Sequence, residues 1–286
     1  MHYERPGSIK DATRLLNGAK GSAYVLAGGS DLLVRMKGGF IEPDLVVDIK
    51  AIKGIGTIRK SSNGFTIGAA VPCAEMAESA ALKKAWPGVV EAANLIGSKQ
   101  IQGRCTIVGN LCNASPAADS VPALMAAEAK VAIAGPKGSR TIAVDKVVKA
   151  PGSTSLRKGE IVEAVLLDKR PLRSGDAYLR FIPRTEMDIA VVGAAVNLTL
   201  DKEGVVKSAR VSLGAVAPTA ILVRRAANAI IGTKLDGPAL ERLAEACSAA
   251  CKPIDDKRGT IEFRKKVAGV LAGRAAKIAY KRAGGK

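Results

Sequence analysis

The sequence predicts an α+β fold in which α/β units precede an antiparallel sheet backed by helices, and three observations carry that expectation. An apolar run at 23–27 ends in Gly28-Gly29 and continues into Leu32, Leu33 and Met36 at helical spacing, the order strand, glycine turn, helix. Short β-branched runs separated by turn residues occupy 130–167. Three apolar runs beyond residue 189 then give way to helical periodicity that lasts to the end of the chain. At 286 residues the chain is long enough for two or three packed units. The pattern changes near 55 and near 172, so 1–55 and 56–172 are expected to be two α/β subdomains and 173–286 a C-terminal α/β domain.

The first unit opens with a helix over 8–17, stopped by Gly18 and Gly21, before strands at 23–27 and 45–49. Residues 52–58, with glycines interleaved, lead into further β structure at 65–67. From 73 to 95 the pattern is helical, with an interruption at Trp86-Pro87, because proline lacks the N–H that a helix interior needs. Residues 97–109 mix β-branched and polar residues with glycines, and 121–127 resembles a helix introduced by Pro122. Strands are expected at 130–134 and 140–144, joined by a Gly135-Pro136-Lys137-Gly138 turn, and at 161–167. In the last unit Asp201-Lys202-Glu203-Gly204 joins the runs 189–200 and 205–213 as a hairpin, and 220–223 adds a third run. Leu240, Leu243, Ala244 and Cys247 have helix spacing, and a second amphipathic stretch covers 261–280.

Hydrophobic content of 48% beside 24% charged residues is the balance of a folded globular protein. No apolar run approaches the ~20 residues that span a bilayer, and the opening residues lack the pattern of a secretory signal, so a soluble, cytoplasmic protein is expected. The five cysteines include no C-x-x-C, which favours buried or free thiols over a disulfide framework or a zinc site. Cys247 and Cys251, four apart, would share a helix face. A net charge of +18 attracts nucleic acid, anionic membranes, acidic proteins or anionic cofactors alike. Aromatics at 3% leave few stacking platforms and no recognition motif is present, so no nucleic-acid partner is expected. The densest basic residues, Arg264, Lys265, Lys266, Arg274, Lys277, Lys281 and Arg282, fit the solvated face of a terminal helix. His2 is the only histidine and stands at a terminus expected to be mobile, so neither a Ser-His-Asp triad nor a histidine metal site nor a histidyl-linked flavin is expected.

Two side-chain-poor segments can hold a ligand. A strand that ends in Gly28-Gly29 and enters a helix gathers backbone N–H groups in one concavity, which suits a phosphate or pyrophosphate. Ser30 can donate its hydroxyl, and Asp31 can cap the following helix. A plain left-handed turn is the alternative, since the G-x-G-x-x-G fingerprint is absent. The second segment, 106–119, is dense in small polar residues: Thr106, Asn110, Asn113 and Ser115 supply donors without bulk, and Asp119 is an acceptor suited to sugar hydroxyls. Alternatively, these residues satisfy one another across a tight loop.

Taken together the segments resemble a known family. Ala27-Gly28-Gly29-Ser30-Asp31-Leu32-Leu33 is similar to its first FAD motif, A-G-G-x-[ST/D]-L, and 106–119 is similar to its second, T-I-G-G-N-x-x-x-A-S-P-x-x-D. The chain resembles the FAD-binding medium subunit of the xanthine dehydrogenase and aerobic carbon monoxide dehydrogenase family of molybdenum hydroxylases. Likeness continues at Tyr178-Leu179-Arg180-Phe181, at Asp188-Ile189-Ala190-Val191-Val192 and at Ile254-Asp255-Asp256-Lys257-Arg258-Gly259, and so spans nearly the whole chain.

That resemblance implies a PCMH-type FAD-binding domain of two α/β subdomains that clasp non-covalent FAD, with the C-terminal domain covering one side. Leu26, Ala27, Gly28, Gly29, Ser30, Asp31 and Leu32 would hold the pyrophosphate; Thr106, Gly109, Asn110, Asn113 and Asp119 would contact phosphate and sugar-alcohol portions; Val162 and Arg180 would lie near the flavin ring, where a cation favours the reduced anionic form. It also implies a large subunit with the molybdenum cofactor, a small subunit with two [2Fe–2S] clusters, a dimer of heterotrimers, and delivery of electrons to NAD+, a quinone or another acceptor. Val108 departs from the motif's first glycine, and Arg180 stands where lysine is common. The cysteine-bearing insertion of the 4-hydroxybenzoyl-CoA reductases is absent. Two competing readings are a free-standing FAD oxidoreductase of the vanillyl-oxidase-like superfamily and a basic nucleic-acid-binding or scaffold protein without cofactor.

Overall fold

The computed structural model describes residues 1–285, and three principal sheets organise them. In the first, β1 (His2–Glu4) is followed by α1 (Ile9–Gly18), β2 (Ala23–Leu26), α2 (Leu32–Lys37) and β3 (Leu45–Asp48), and the strands pair in parallel in the order β1-β3-β2. Ser8 starts α1 by accepting from the amide of Asp11 through its side chain at 3.1 Å. The terminus expected to be mobile is instead tied down: β1 lies against β3, and the His2 amide donates to the Asp44 carbonyl at 2.7 Å.

The second sheet belongs to β4 (Ile58–Ser61), β5 (Gly64–Gly68), β6 (Lys130–Gly135), β7 (Gly138–Ala143) and β10 (Ile161–Asp168), antiparallel in the order β4-β5-β10-β6-β7. Between β5 and β6 run six short helices, α3 (Cys73–Glu78), α4 (Ala80–Ala85), α5 (Pro87–Ala93), α6 (Lys99–Gln102), α7 (Ile107–Cys112) and α8 (Ser120–Ala126). A small ribbon, β8 (Val148–Ala150) with β9 (Ser153–Thr154), precedes β10. Pro87 is the first helical residue of α5, where its missing N–H has no partner to lose, which is why the break falls at Trp86. Residues 97–109, read from sequence only as a glycine-spaced stretch, contribute α6 and the start of α7, each too short to show helical periodicity.

The third sheet is β11 (Ser174–Phe181), β12 (Val192–Leu200), β13 (Val206–Gly214) and β14 (Ile221–Leu222), antiparallel in that order. It is followed by α9 (Arg224–Ile230), α10 (Gly237–Ala250) and α11 (Ile261–Arg282). The expected hairpin turn is present: Asp201 accepts from the amides of Glu203 and Val205 through its side chain, and Gly204 has φ +82°. Strand alternation turns Tyr178 and Ala195 toward the core of the second unit and Ala177, Ala194 and Val196 toward the helices on the other face. Ala268, Ala272, Ala275, Ala276 and Ala279 form the buried stripe of α11, whose small side chains allow close packing on the sheet. Lys265, Lys266, Arg274, Lys277 and Lys281 face solvent as expected. Arg264 is the correction: it is buried and donates to the carbonyls of Val191, Gly259 and Ala215 and to Asp256, so it ties the helix start to the sheet.

Arg170 joins the second and third units. It lies over the Trp86 ring at 4.5 Å, donates to the Ala85 carbonyl and to Asp176 at 2.7 Å each, and reaches Asn197 at 3.1 Å. Arg282 adds bonds to Glu91 and to the Asp176 carbonyl. Asp176 is buried, and burial pushes its carboxyl up while Arg170 pulls it back. Removing the guanidinium strands that carboxylate, so Arg170→Ala is expected to lower the unfolding free energy by about 3 kcal/mol in a urea titration; a loss below about 1 kcal/mol would show that the pair does not join the units.

Candidate functional site

A cavity of about 610 Å³ opens where the first glycine segment meets the second, a volume in the range of small-molecule and cofactor sites. Its first wall comes from the turn between β2 and α2. Gly29 has φ +78°, a conformation that side-chain-bearing residues rarely adopt, and the Gly29 carbonyl accepts from Leu33 at 3.0 Å to begin α2. Gly28 is required for a different reason. A Cβ there would overlap the Arg104 carbonyl and stand 3.0 Å from the Cα of Cys105, so only glycine lets this turn lie against the strand of chain that enters α7. Lys50 donates to the Ala27 carbonyl at 3.1 Å and to Asp48 at 2.7 Å, which anchors the turn from β3.

The second wall is the start of α7. Thr106 is its N-cap, its hydroxyl accepting from the Gly109 amide at 2.9 Å. Asn110 accepts from both the amide and the hydroxyl of Ser120, at 3.1 and 2.7 Å, which fixes α7 to α8. Asn113 donates to Asp31 at 3.1 Å, a direct bond between the two segments. Partial burial pushes the Asp31 carboxyl up from its ordinary value. Asp31 stands at the N-cap of α2, but its side chain makes no capping bond, contrary to the sequence reading, because its backbone is already helical (φ −101°, ψ −47°) where a cap needs an extended one.

The far side is apolar, with Ile49, Ala69, Ile96, Leu156, Ile161 and Val162. Val162 adjoins the register shift between Val162 and Ala164 in β10. Ala27, Gly28, Gly29, Ser30, Asp31, Leu32, Thr106, Gly109, Asn110, Asn113 and Val162 thus border one space. Leu26, Asp119 and Arg180 do not. Asp119 instead accepts from the Tyr178 hydroxyl at 3.0 Å and from Arg180 at 2.8 Å, while Arg180 also donates to the Leu95 carbonyl at 2.7 Å. The acceptor expected for sugar hydroxyls and the cation expected at a flavin ring are therefore engaged with each other, tying α8 to β11. Burial raises the Asp119 carboxyl to about 6, against the pull of Arg180 and Tyr178.

Sequence reasoning missed Arg35, Cys105 and Glu160, which also border the cavity. Arg35 was within reach: it sits one helical turn from Asp31, whose carbonyl accepts from its amide at 3.0 Å. Cys105 directly precedes Thr106 but is no part of the small polar pattern, and Glu160 carried no local signal, since it arrives through tertiary packing. The cavity fits a dinucleotide such as FAD in its materials: a glycine turn without Cβ atoms at one edge, small polar residues beside it, a cation at Arg35 and an apolar wall opposite.

Comparisons with known proteins agree. Residues 1–168 match the FAD binding domain in molybdopterin dehydrogenase, and residues 177–279 match the CO dehydrogenase flavoprotein C-terminal domain. The carbon monoxide dehydrogenase medium chain of Afipia carboxidovorans is 34% identical over 282 residues, 98% of this chain and 97% of that one. The xanthine dehydrogenase FAD-binding subunit of Escherichia coli O157:H7 is 29% identical over 286 residues, covering 99% and 97%. A chain of the crystal structure of Cu,Mo-CO dehydrogenase in its cyanide-inactivated form superposes with a TM-score of 0.94 at 33% identity, covering 99% of this chain and 98% of that one. The chain belongs to the family of FAD-binding medium subunits of molybdenum hydroxylases, and is an oxidoreductase flavoprotein subunit.

Two outcomes test the geometry. Gly29→Leu places a branched residue at φ +78° and its Cβ 2.9 Å from Leu33, so FAD retained on purification should fall at least tenfold while the far-ultraviolet circular dichroism stays close to that of the parent; normal FAD content in a folded variant would count against the turn. For Asp119, a folded value raised to about 6 from 3.8 means that its contribution to stability is present in full below pH 3.8 and is lost as pH rises through 6. The stability difference between the parent and Asp119→Asn, measured by urea unfolding, should therefore shift by roughly 1–3 kcal/mol in favour of Asn between pH 4.5 and 7.5. A difference that is flat with pH, or opposite in sign, would refute this assignment.

Proposed function

We propose that this chain holds FAD non-covalently in the cavity between its two glycine-bearing segments and serves as the electron outlet of a three-subunit molybdenum hydroxylase. When bound, FAD would supply the redox chemistry that links [2Fe–2S] clusters in a small subunit and a molybdenum cofactor in a large one to NAD+, a quinone or another acceptor. The observation that carries this reading is the meeting of the 27–32 turn and the 105–113 segment around one space with a polar edge and an apolar wall.

Each residue has a part suited to its chemistry. The amides of Gly28, Gly29 and Ser30 would hold a pyrophosphate, and Arg35 would offset its charge. Asp31, held by Asn113, accepts from a ligand hydroxyl, and Thr106 and Asn110 fix the backbone of 106–110 for further amide contacts. Ile96, Ile161 and Val162 exclude water from a planar ring and give it an apolar bed. Leu26 and Leu33 brace the turn, both side chains lying close to the position a Cβ on Gly29 would take. Asp119 and Arg180 act from behind the wall: Arg180 holds the Leu95 carbonyl, next to Ile96 of the cavity.

The relatives are named as medium chains and FAD-binding subunits, which supports a partnership with a large and a small subunit, and we propose that two such heterotrimers pair. Native purification through a tagged copy of this chain, with metal, flavin and mass analysis, tests it. Molybdenum, iron and FAD should co-elute in a ratio of 1:4:1, in a particle that contains two copies of each of three chains. Elution as a single chain that reduces an acceptor with substrate unaided would sink this reading in favour of a free-standing FAD oxidoreductase.

A further inference from the structure

Five thiols are free in this chain, and two of them meet behind the glycine turn. Cys73 opens α3, and Cys105 immediately precedes the Thr106 cap of α7. The Cys73 amide donates to the Cys105 carbonyl at 2.9 Å. That bond sets the two residues side by side, and a disulfide needs their Cα atoms within ~4.4–6.8 Å of each other. The two thiols act on each other at close quarters, which draws Cys105 below the ordinary thiol value and, together with burial, holds Cys73 well above it. Cys73 is fully buried, whereas Cys105, 3% exposed, borders the cavity. The other three differ: Cys112 also borders the cavity but is pushed up to about 12, and Cys247 and Cys251, at about 12 and about 11, lie in the C-terminal core. One sulfur of the five is thus both reachable from the cavity and backed by a second thiol on its blind side.

We propose that Cys105 and Cys73 form a redox site in the cavity wall, at which a hydroperoxide oxidises Cys105 and Cys73 then closes a disulfide. The proposal rests on the reading that this cavity holds FAD, which would cover Cys105 and shield it. In the first step the Cys105 sulfur attacks the peroxide O–O bond; an S–O bond forms, the O–O bond breaks, and the leaving oxygen takes the thiol proton to depart as water or alcohol. In the second the Cys73 sulfur displaces the hydroxyl from the Cys105 sulfur; an S–S bond forms, the S–O bond breaks, and the Cys73 proton leaves with the hydroxyl as water. Two thiols lose two electrons in all, and the peroxide gains them.

A bridge fixes Cys105 to the start of α3 in disulfide geometry, directly beside its contact with Gly28. That displaces the seat of Thr106 and of the turn packed on it, so the oxidised chain should bind FAD at least tenfold more weakly than the reduced one.

The full chain, stripped of FAD and exposed to hydrogen peroxide, tests this by peptide mass mapping. The expected result is a Cys73–Cys105 disulfide, reversed by dithiothreitol together with the loss of FAD affinity, and formed at least tenfold more slowly under saturating FAD. In Cys73→Ser the same treatment should leave a sulfenic acid on Cys105 that dimedone labels. Reduced Cys73 and Cys105 after exposure of the parent chain, or bridging elsewhere, would overturn the proposal. Bridging at an equal rate with FAD demonstrably bound would leave the thiol chemistry standing and overturn the placement of FAD over Cys105.

Discussion

The site depends on one backbone-to-backbone approach: Gly28 lies so close to Arg104 and Cys105 that no side chain fits between them. The contact brings a parallel three-stranded unit and a separate antiparallel sheet to opposite sides of one cavity, although the two segments are more than 70 residues apart in the chain. Asn113 donating to Asp31 and Lys50 donating to Ala27 hold the arrangement from either end. The Asn113 bond would not align without the glycine, since a Cβ at that position would push the second segment out of reach.

The C-terminal domain supports the wall without lining it. Tyr178 and Arg180 on β11 converge on Asp119 at the start of α8, and Arg170 stacks on Trp86 while pairing with Asp176. Both clusters put a buried carboxylate against a guanidinium, so each is costly to break from one side and selects one docking geometry between the units. The cavity is therefore shaped by residues that do not touch it: Arg180 grips the carbonyl of Leu95, and its neighbour Ile96 forms part of the apolar wall.

Much of this was legible in the residues themselves, and the exceptions have physical reasons. The strand and turn at 23–29 and the hairpin at 201–204 were readable because glycine and aspartate determine local backbone geometry whatever packs around them. The helices at Lys99–Gln102 and Ile107–Cys112 were not, since one turn or so of helix has no period to detect. Motif residues whose part is played by the backbone, such as Gly28, Gly29 and Gly109, stand at the cavity. Asp119 and Arg180 carry charges, and where a buried charge finds its partner is decided by tertiary structure; here each found the other. Arg264 shows the same limit, being placed by periodicity on a wet face while four polar groups hold it inside.

Flavin binding at this site depends on the close approach at residue 28. Titrating FAD into Gly28→Ala by calorimetry, beside the parent chain and with circular dichroism to establish that both are folded, measures it with the addition of a single methyl group. The predicted result is a folded variant whose FAD affinity is at least a hundredfold weaker, about 2.7 kcal/mol. An affinity equal to that of the parent would mean that the two segments do not need to touch in order to hold the flavin.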